Sequence, residues 1–235
     1  TVIKQKVEEA TLPVDKVDII ISEWMGYFCL YESMMDTVLY ARDKWLVKDG
    51  SGIILPDTVH MFVGALEDAD YKQRKLNFWH GVGYDIDMTC IKPSVLCEPL
   101  IDVCDSKYII SNNCKIQEID LYTVKVEELD FTAQYALEFT RNDTFSGLIG
   151  WFDTIFKKLP NQITLSTSPY TKPTHWKQTT FYHEKDISVS QGDTLKGSIA
   201  LRKAQKNHRE IDVKISYKLK GYYSESSSYQ LYKIR

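Results

Sequence analysis

Glycine is scarce at the start of this chain. There are 11 glycines in 235 residues, the first is Gly26, and no G-x-G-x-x-G string occurs anywhere. The tight strand-to-helix turn that lays backbone amides against a nucleotide cofactor is therefore not written into these residues. Cysteine is also sparse and oddly numbered. Cys29, Cys90, Cys97, Cys104 and Cys114 include no C-x-x-C pair, which argues against a disulfide framework or a paired-thiolate zinc site and for free thiols in a reducing compartment. The seven-residue spacing of Cys90, Cys97 and Cys104 is read as chance. No apolar run approaches the length of a membrane span, and no secretory signal opens the chain. The expectation is a soluble cytoplasmic or nuclear protein with no membrane partner. A net charge of -3 argues against sequence-independent nucleic-acid binding and weakly favours a basic substrate, although so small a charge also fits no preference at all. There is no internal repeat and no low-complexity segment.

What is present is ordinary globular composition, 43% hydrophobic and 26% charged, enough for one large domain or one and a half. Thr1-Val2-Ile3-Lys4 reads as part of a strand. Val17-Asp18-Ile19-Ile20-Ile21 is a β-branched run that suits a strand buried on both faces in a parallel sheet. Met35, Val38, Leu39, Trp45 and Leu46 share one face at helical spacing, and Lys48 to Gly52 stops that helix. Ile53-Ile54-Leu55 is a further short strand ended by Pro56. Beyond Pro56 the period changes to two. Ile211, Val213, Ile215, Tyr217 and Leu219 alternate with polar residues, as a half-buried antiparallel strand does. Ile149, Trp151 and Ile155 alternate similarly around Asp153. Further strands are expected at Thr58–Leu66, Gln117–Val126, Tyr135–Thr140, Trp176–His183, Leu195–Leu201 and Tyr229–Tyr232. Many strands without long helices between them indicate a barrel or a sandwich. Asp68 to Phe78 departs from this as a helical excursion, followed by a turn-rich aromatic end, Trp79 to Tyr84.

One loop concentrates the chemistry. Glu23 and Glu32 sit nine residues apart, with an aromatic and sulfur-rich stretch between them. It follows the first apolar strand, where open α/β sheets bind their ligands. Burying carboxylates in such a stretch costs several kcal/mol unless they are paired, so a cation is expected to visit. A guanidinium, a flat fork of five N–H donors, matches two carboxylates well. The pair also fits a structural ion pair, or a helix cap in which Glu32 favours the positive end of a helix dipole.

The string Ser22-Glu23-Trp24-Met25-Gly26-Tyr27-Phe28-Cys29-Leu30-Tyr31-Glu32-Ser33 resembles the double-glutamate loop of protein arginine methyltransferases. Thr174-His175-Trp176 resembles the same family's THW loop. The similarity runs through nearly the whole chain and is nearest to the type I branch that predominates in eukaryotes. It implies an α/β plus all-β fold: residues 1–56 as the C-terminal remnant of a Rossmann-like methyltransferase domain carrying the double-glutamate loop 22–33, then residues 57–235 as an antiparallel β-barrel with a helical dimerisation arm at about 68–100.

The same resemblance implies methyl transfer from S-adenosylmethionine to guanidino nitrogens of protein arginines. Glu23, Glu32 and His175 would be catalytic, His175 pairing with an aspartate from further upstream. Tyr31, Met34 and Trp176 would be substrate-binding, and Val7 and Glu8 would lie beside the adenine of the methyl donor. Met34 suits type I products, mono- and asymmetric dimethylarginine. Expected partners are arginine-containing proteins such as histones and glycine/arginine-rich RNA-binding proteins, with a homodimer in the full-length enzyme and no direct contact with nucleic acid. With no glycine-rich cofactor loop, the chain alone is expected to bind the donor poorly and to be inactive. Plainer readings stand beside these: His175 as a surface or satisfied core histidine, Met34 as core, Tyr27 and Tyr31 as packing, Trp176 as packing beneath the loop, and Val7-Glu8 as ordinary loop. Two other classes remain open, a short non-catalytic binding or regulatory subunit and an unrelated enzyme using paired carboxylates, such as a glycosidase.

Overall fold

A computed structural model describes residues 1–80, 86–221 and 225–235. The chain opens on a 3₁₀ turn, Val7–Glu9, and residues 1–4 form no strand. The first strand, β1 (Ile19–Ile21), pairs in parallel with β2 (Ile53–Leu55), and α1 (Met35–Trp45) connects them. The parallel pairing matches the apolar run, but burial on both faces does not. Ile19 is 51% exposed and Ile21 75%, because the sheet in the described residues has only these two strands. Helix α1 buries Met35, Val38, Leu39 and Trp45 along the stripe expected from spacing. It also buries Arg42, whose guanidinium donates to the Leu121 and Val124 carbonyls at 2.8 and 2.7 Å. That charged anchor and the Ile54 amide bonded to the Tyr122 hydroxyl tie the α/β segment to the strands beyond Asp57.

After Asp57 the fold is antiparallel. A six-stranded sheet is built on β3 (Thr58–Leu66), with β4 (Leu100–Asp102), β5 (Cys114–Asp120), β7 (Asp143–Phe156), β8 (Ile163–Ser166) and β9 (Gln178–Val189); its main order is β4-β9-β7-β3-β5, with β8 on β7. A four-stranded sheet is built from β6 (Phe131–Glu138), β10 (Thr194–Lys203), β11 (Ile211–Lys220) and β12 (Glu225–Ile234), in the order β12-β11-β10-β6. Inward side chains of both sheets form one core, with Val59, Met61, Phe145, Leu148, Phe152 and Phe181 on one side and Leu195, Ile199, Val213 and Ile215 on the other.

Strand β11 follows the period-two expectation, burying Ile211, Val213, Ile215, Tyr217 and Leu219. Strand β7 does not. It was expected to be half-buried and is buried on both faces over most of its length. Its outer side carries a second small core of Leu66, Ile109, Ile149, Trp151 and Tyr182, where Phe62 stacks on Trp151 and Tyr71 on Tyr182. Expected strand ends also shift: residues after Asp120 leave β5 for a turn and the 3₁₀ segment Val126–Leu129.

The helical excursion is α2 (Ala69–Asn77), followed by the 3₁₀ turns Phe78–His80 and Thr89–Ile91 and by α3 (Lys92–Cys97). Part of the expected turn-rich end, Gly81 to Tyr84, lies outside the described residues. The root of α2 is pinned to β9. Lys72, only 1% exposed, meets Asp186 at 2.7 Å, and Tyr182 donates to Asp68 at 2.6 Å. All five cysteines are free. Among the described residues no helix is long and apolar enough to cross a membrane, and no cluster suits a metal ion.

Candidate active site

The loop after β1 leaves the sheet with the Ser22 amide bonded to the Leu55 carbonyl. It then turns back on itself, the Gly26 amide reaching the Cys29 carbonyl at 3.0 Å. A side chain at Gly26 would lie 2.0 Å from the Tyr31 carbonyl oxygen, so this crossing needs glycine. Phe28, Cys29, Glu32 and Ser33 all have positive φ, at 48°, 68°, 80° and 54°. Left-handed backbone at residues other than glycine costs about 1–3 kcal/mol each and persists only where surroundings impose it.

The surroundings are visible. Trp24, Met25, Phe28, Cys29 and Leu30 all point into the core. Phe28 packs edge-on against Phe181 and enters a space that exists because β7 carries Gly150; a Cβ there would come within 2.3 Å of the Phe28 ring. This inward packing corrects one expectation. Because the apolar side chains between them turn inward, the two carboxylates end at the surface: Glu23 is exposed and Glu32 half-buried, so desolvation does not force a cation upon them. The loop thiol is no nucleophile either, since complete burial pushes Cys29 well above the usual thiol range.

A cavity of about 230 Å³ is lined by Glu23, Trp24, Met25, Gly26, Tyr27, Glu32, Met34, His175 and Trp176. Residues some 150 positions apart in sequence thus share one wall. The bond that joins the two loops is direct: the Trp176 indole N–H donates to the Met25 carbonyl at 2.8 Å, and the His175 ring lies over Trp176 with centroids 3.8 Å apart. Trp176 is buried beneath the loop, as its packing reading holds. Met34 is exposed at the rim rather than in the core. Tyr31 is not among the lining residues; its ring stacks on Tyr27, centroids 6.0 Å apart.

Val7 and Glu8 lie elsewhere, in the 3₁₀ turn against α1. The Glu8 carboxylate accepts from the Thr37 hydroxyl at 2.7 Å and its carbonyl from Tyr40 at 2.9 Å. The Thr37 bond holds the carboxyl below its ordinary range. Glu8 borders a separate open groove with Asp36, Tyr40 and Asp43. The groove is lined by Glu8 but not by Val7, and neither residue lines the cavity of Glu23 and Glu32.

Sequence reasoning missed two groups. Gly150 gave no signal because its need arises from Phe28 across the fold. The 204–210 turn between β10 and β11 was also missed, although it touches the loop directly: the Glu32 amide donates to the Arg209 carbonyl at 2.7 Å, and the Ser33 hydroxyl donates to the His208 carbonyl.

The arrangement offers two carboxylates, an imidazole and a thioether around a space of side-chain size, which is a seat for a cationic side chain. Residues 57–222 match the family model described as the arginine methyltransferase oligomerization subdomain. The chain is 46% identical over 235 residues to protein arginine N-methyltransferase 1 of Chlamydomonas reinhardtii, covering all of this chain and 67% of that protein. It is 48% identical over 217 residues to protein arginine N-methyltransferase 1 of Schizosaccharomyces pombe, covering 92% and 63%. It is similar in structure to a chain of the Trypanosoma brucei PRMT1 enzyme–prozyme heterotetrameric complex with AdoHcy, with a TM-score of 0.94 and 35% identity, covering all of this chain and 73% of that one. It is also similar to Arabidopsis thaliana protein arginine methyltransferase 10, with a TM-score of 0.87 and 28% identity, covering 100% and 75%. Across five curated relatives the chain spans 55% to 68% of their length. With a family model over most of the chain, relatives near half identity and both glutamates lining one cavity, the chain belongs to the protein arginine methyltransferase family.

Proposed function

We propose that this chain is the C-terminal part of a type I protein arginine N-methyltransferase, forming mono- and asymmetric dimethylarginine on protein substrates. The observation that carries the reading is the convergence of Glu23, Glu32, Met34 and His175 on one cavity. Residues 1–56 are then the end of the donor-binding domain, and residues 57–235 a substrate-binding domain whose two antiparallel sheets form the walls of a β-barrel. The arm at about 68–100 makes a homodimer. Histones and glycine/arginine-rich proteins are the expected substrates, in cytoplasm and nucleus.

S-adenosylmethionine, when bound, supplies an electrophilic methyl group, and Val7 and Glu8 would hold the adenine end of it. The other tasks fall to the cavity. Glu23 and Glu32 grip the substrate guanidinium from two sides and draw its positive charge toward the nitrogens they touch, which leaves electron density on the nitrogen that reacts. Positioning of this kind supplies much of the rate. Neither glutamate strips the proton beforehand. A free arginine holds its proton far more tightly than a glutamate does, by roughly 13 kcal/mol. Proton loss belongs with or after methylation, and Glu32 is the assigned acceptor. Met34 at the rim limits the room around the target nitrogen, and His175 holds the substrate end of the pocket.

In the full-length protein, Glu23→Gln and Glu32→Gln should each remove most turnover on an arginine peptide while leaving its fold intact by circular dichroism. Near-normal turnover in either variant would overturn the assigned role. A second reading, a non-catalytic partner subunit, draws on the enzyme–prozyme complex among the structural neighbours. The presence of Glu23, Glu32 and His175 together in this chain favours the catalytic one.

A further inference from the structure

Resting on that reading, we infer that Arg209 is a positioning residue for Glu32, acting from the turn between β10 and β11. Glu32 and Ser33 are consecutive residues in the left-handed region, at φ 80° and 54°, and neither is glycine. Nothing in their own sequence favours that conformation, so it must be imposed from outside. The imposing groups are on one turn. The Arg209 carbonyl receives the Glu32 amide at 2.7 Å, and the His208 carbonyl receives the Ser33 hydroxyl. Further into the helix, Lys203 at the end of β10 binds both oxygens of Asp36 at 2.6 and 2.5 Å. The turn is thereby clamped to the loop on two levels, by backbone at Glu32–Ser33 and by charge at Asp36.

The Arg209 side chain completes the arrangement. Its Nη2 lies 3.4 Å from Glu32 Oε2. Arg209 is not among the residues lining the cavity, whereas Glu32 is. The guanidinium therefore meets the carboxylate from outside the seat, does not occupy the substrate's place, and restrains one oxygen while the cavity keeps access to the carboxylate. A free glutamate at half exposure would sample several rotamers; one tied at its amide and at one oxygen samples few. Arg209 is a positioning group that acts through Glu32.

The test uses the full-length protein with Arg209→Ala, Arg209→Lys and, as a control on the same turn, Lys206→Ala. Crystal structures come first. In Arg209→Ala the Glu32 carboxylate should leave its position by about 1 Å or more, a displacement of the size that costs up to about 100-fold in rate. In steady-state methyl transfer to an arginine peptide, kcat/KM should fall about tenfold in Arg209→Ala, with KM for S-adenosylmethionine unchanged, and Arg209→Lys should recover a large part of the loss. Lys206→Ala should behave as wild type. An unmoved Glu32 carboxylate, or an Arg209→Ala rate equal to that of Lys206→Ala, overturns the inference. If wild type transfers no methyl group, the chemistry assigned to the site fails, and the position of Glu32 in the two Arg209 crystal structures still decides the positioning role.

Discussion

Phe28 enters the six-stranded sheet through the space that Gly150 leaves, and this contact decides where the glutamate loop rests. A methyl group at residue 150 would stand 2.3 Å from the ring, well inside van der Waals contact, so the ring and its left-handed backbone must move together. Overpacking of this kind costs about 1–3 kcal/mol. In the full-length protein, Gly150→Ala should lower the thermal midpoint by several degrees, and adding Phe28→Leu should restore part of the loss. A double-mutant cycle with no coupling between the two positions would refute the contact as a determinant of stability. The string from Ser22 to Ser33 was legible because it carries its own pattern, and so was Thr174-His175-Trp176. Gly150, Arg42 and Lys72 were not, since each answers to a partner far away in sequence: the Phe28 ring, the carbonyls of Leu121 and Val124, and the carboxylate of Asp186. The burial expected for the glutamates failed for a related reason. Composition reports that a loop is apolar but not which side of it faces the sheet.

Among the elements, β11 was legible and β7 was not. The alternation of β11 survives because one face meets the core and the other meets solvent. In β7 the outer face is covered by rings from β3, β9 and α2, and no period within β7 announces that cover. Strand β9 carries a consequence for pH. His183 lies between the Phe145 and Tyr217 rings, at 4.8 and 4.6 Å, and is completely enclosed. Burial, with the nearby Lys72 charge adding to it, pushes its pKa down to about 3. A histidine depressed in the fold contributes stability that is full above its ordinary value near 6.5 and is lost as pH falls from there toward 3. The slope is about 1.4 kcal/mol per pH unit, so between pH 7 and pH 5 wild type should lose about 2 kcal/mol more than His183→Phe. Urea unfolding of both proteins at the two pH values measures this. Parallel losses would show that His183 does not drive the acid sensitivity.

Across the chain as a unit, two parts of different character share one site. The parallel strand pair delivers Glu23, the antiparallel sheets deliver His175 and Trp176, and the 204–210 turn holds Glu32. Val7 and Glu8 lie apart from that site, along one edge of α1, and no G-x-G-x-x-G string occurs in these residues. Calorimetric titration of S-adenosylmethionine should therefore give no measurable binding to the 235-residue chain and clear binding to the full-length protein. Binding by the shorter chain would mean that residues 1–235 hold the donor without a glycine-rich turn.

The clamp between the 204–210 turn and the glutamate loop also bears on synthesis. The chain grows from its N-terminus at about 5–20 residues per second. A nascent chain that ends at residue 200 already contains Glu23, Glu32 and His175, yet has no Arg209 or His208 carbonyl to hold the Glu32–Ser33 backbone in its left-handed form. The side chains that share the cavity would all exist before the loop that carries Glu32 was held in place. The clamp would form late, when β11 closes on β10, so a chain halted shortly before that turn carries these side chains without the groups that hold Glu32 and Ser33.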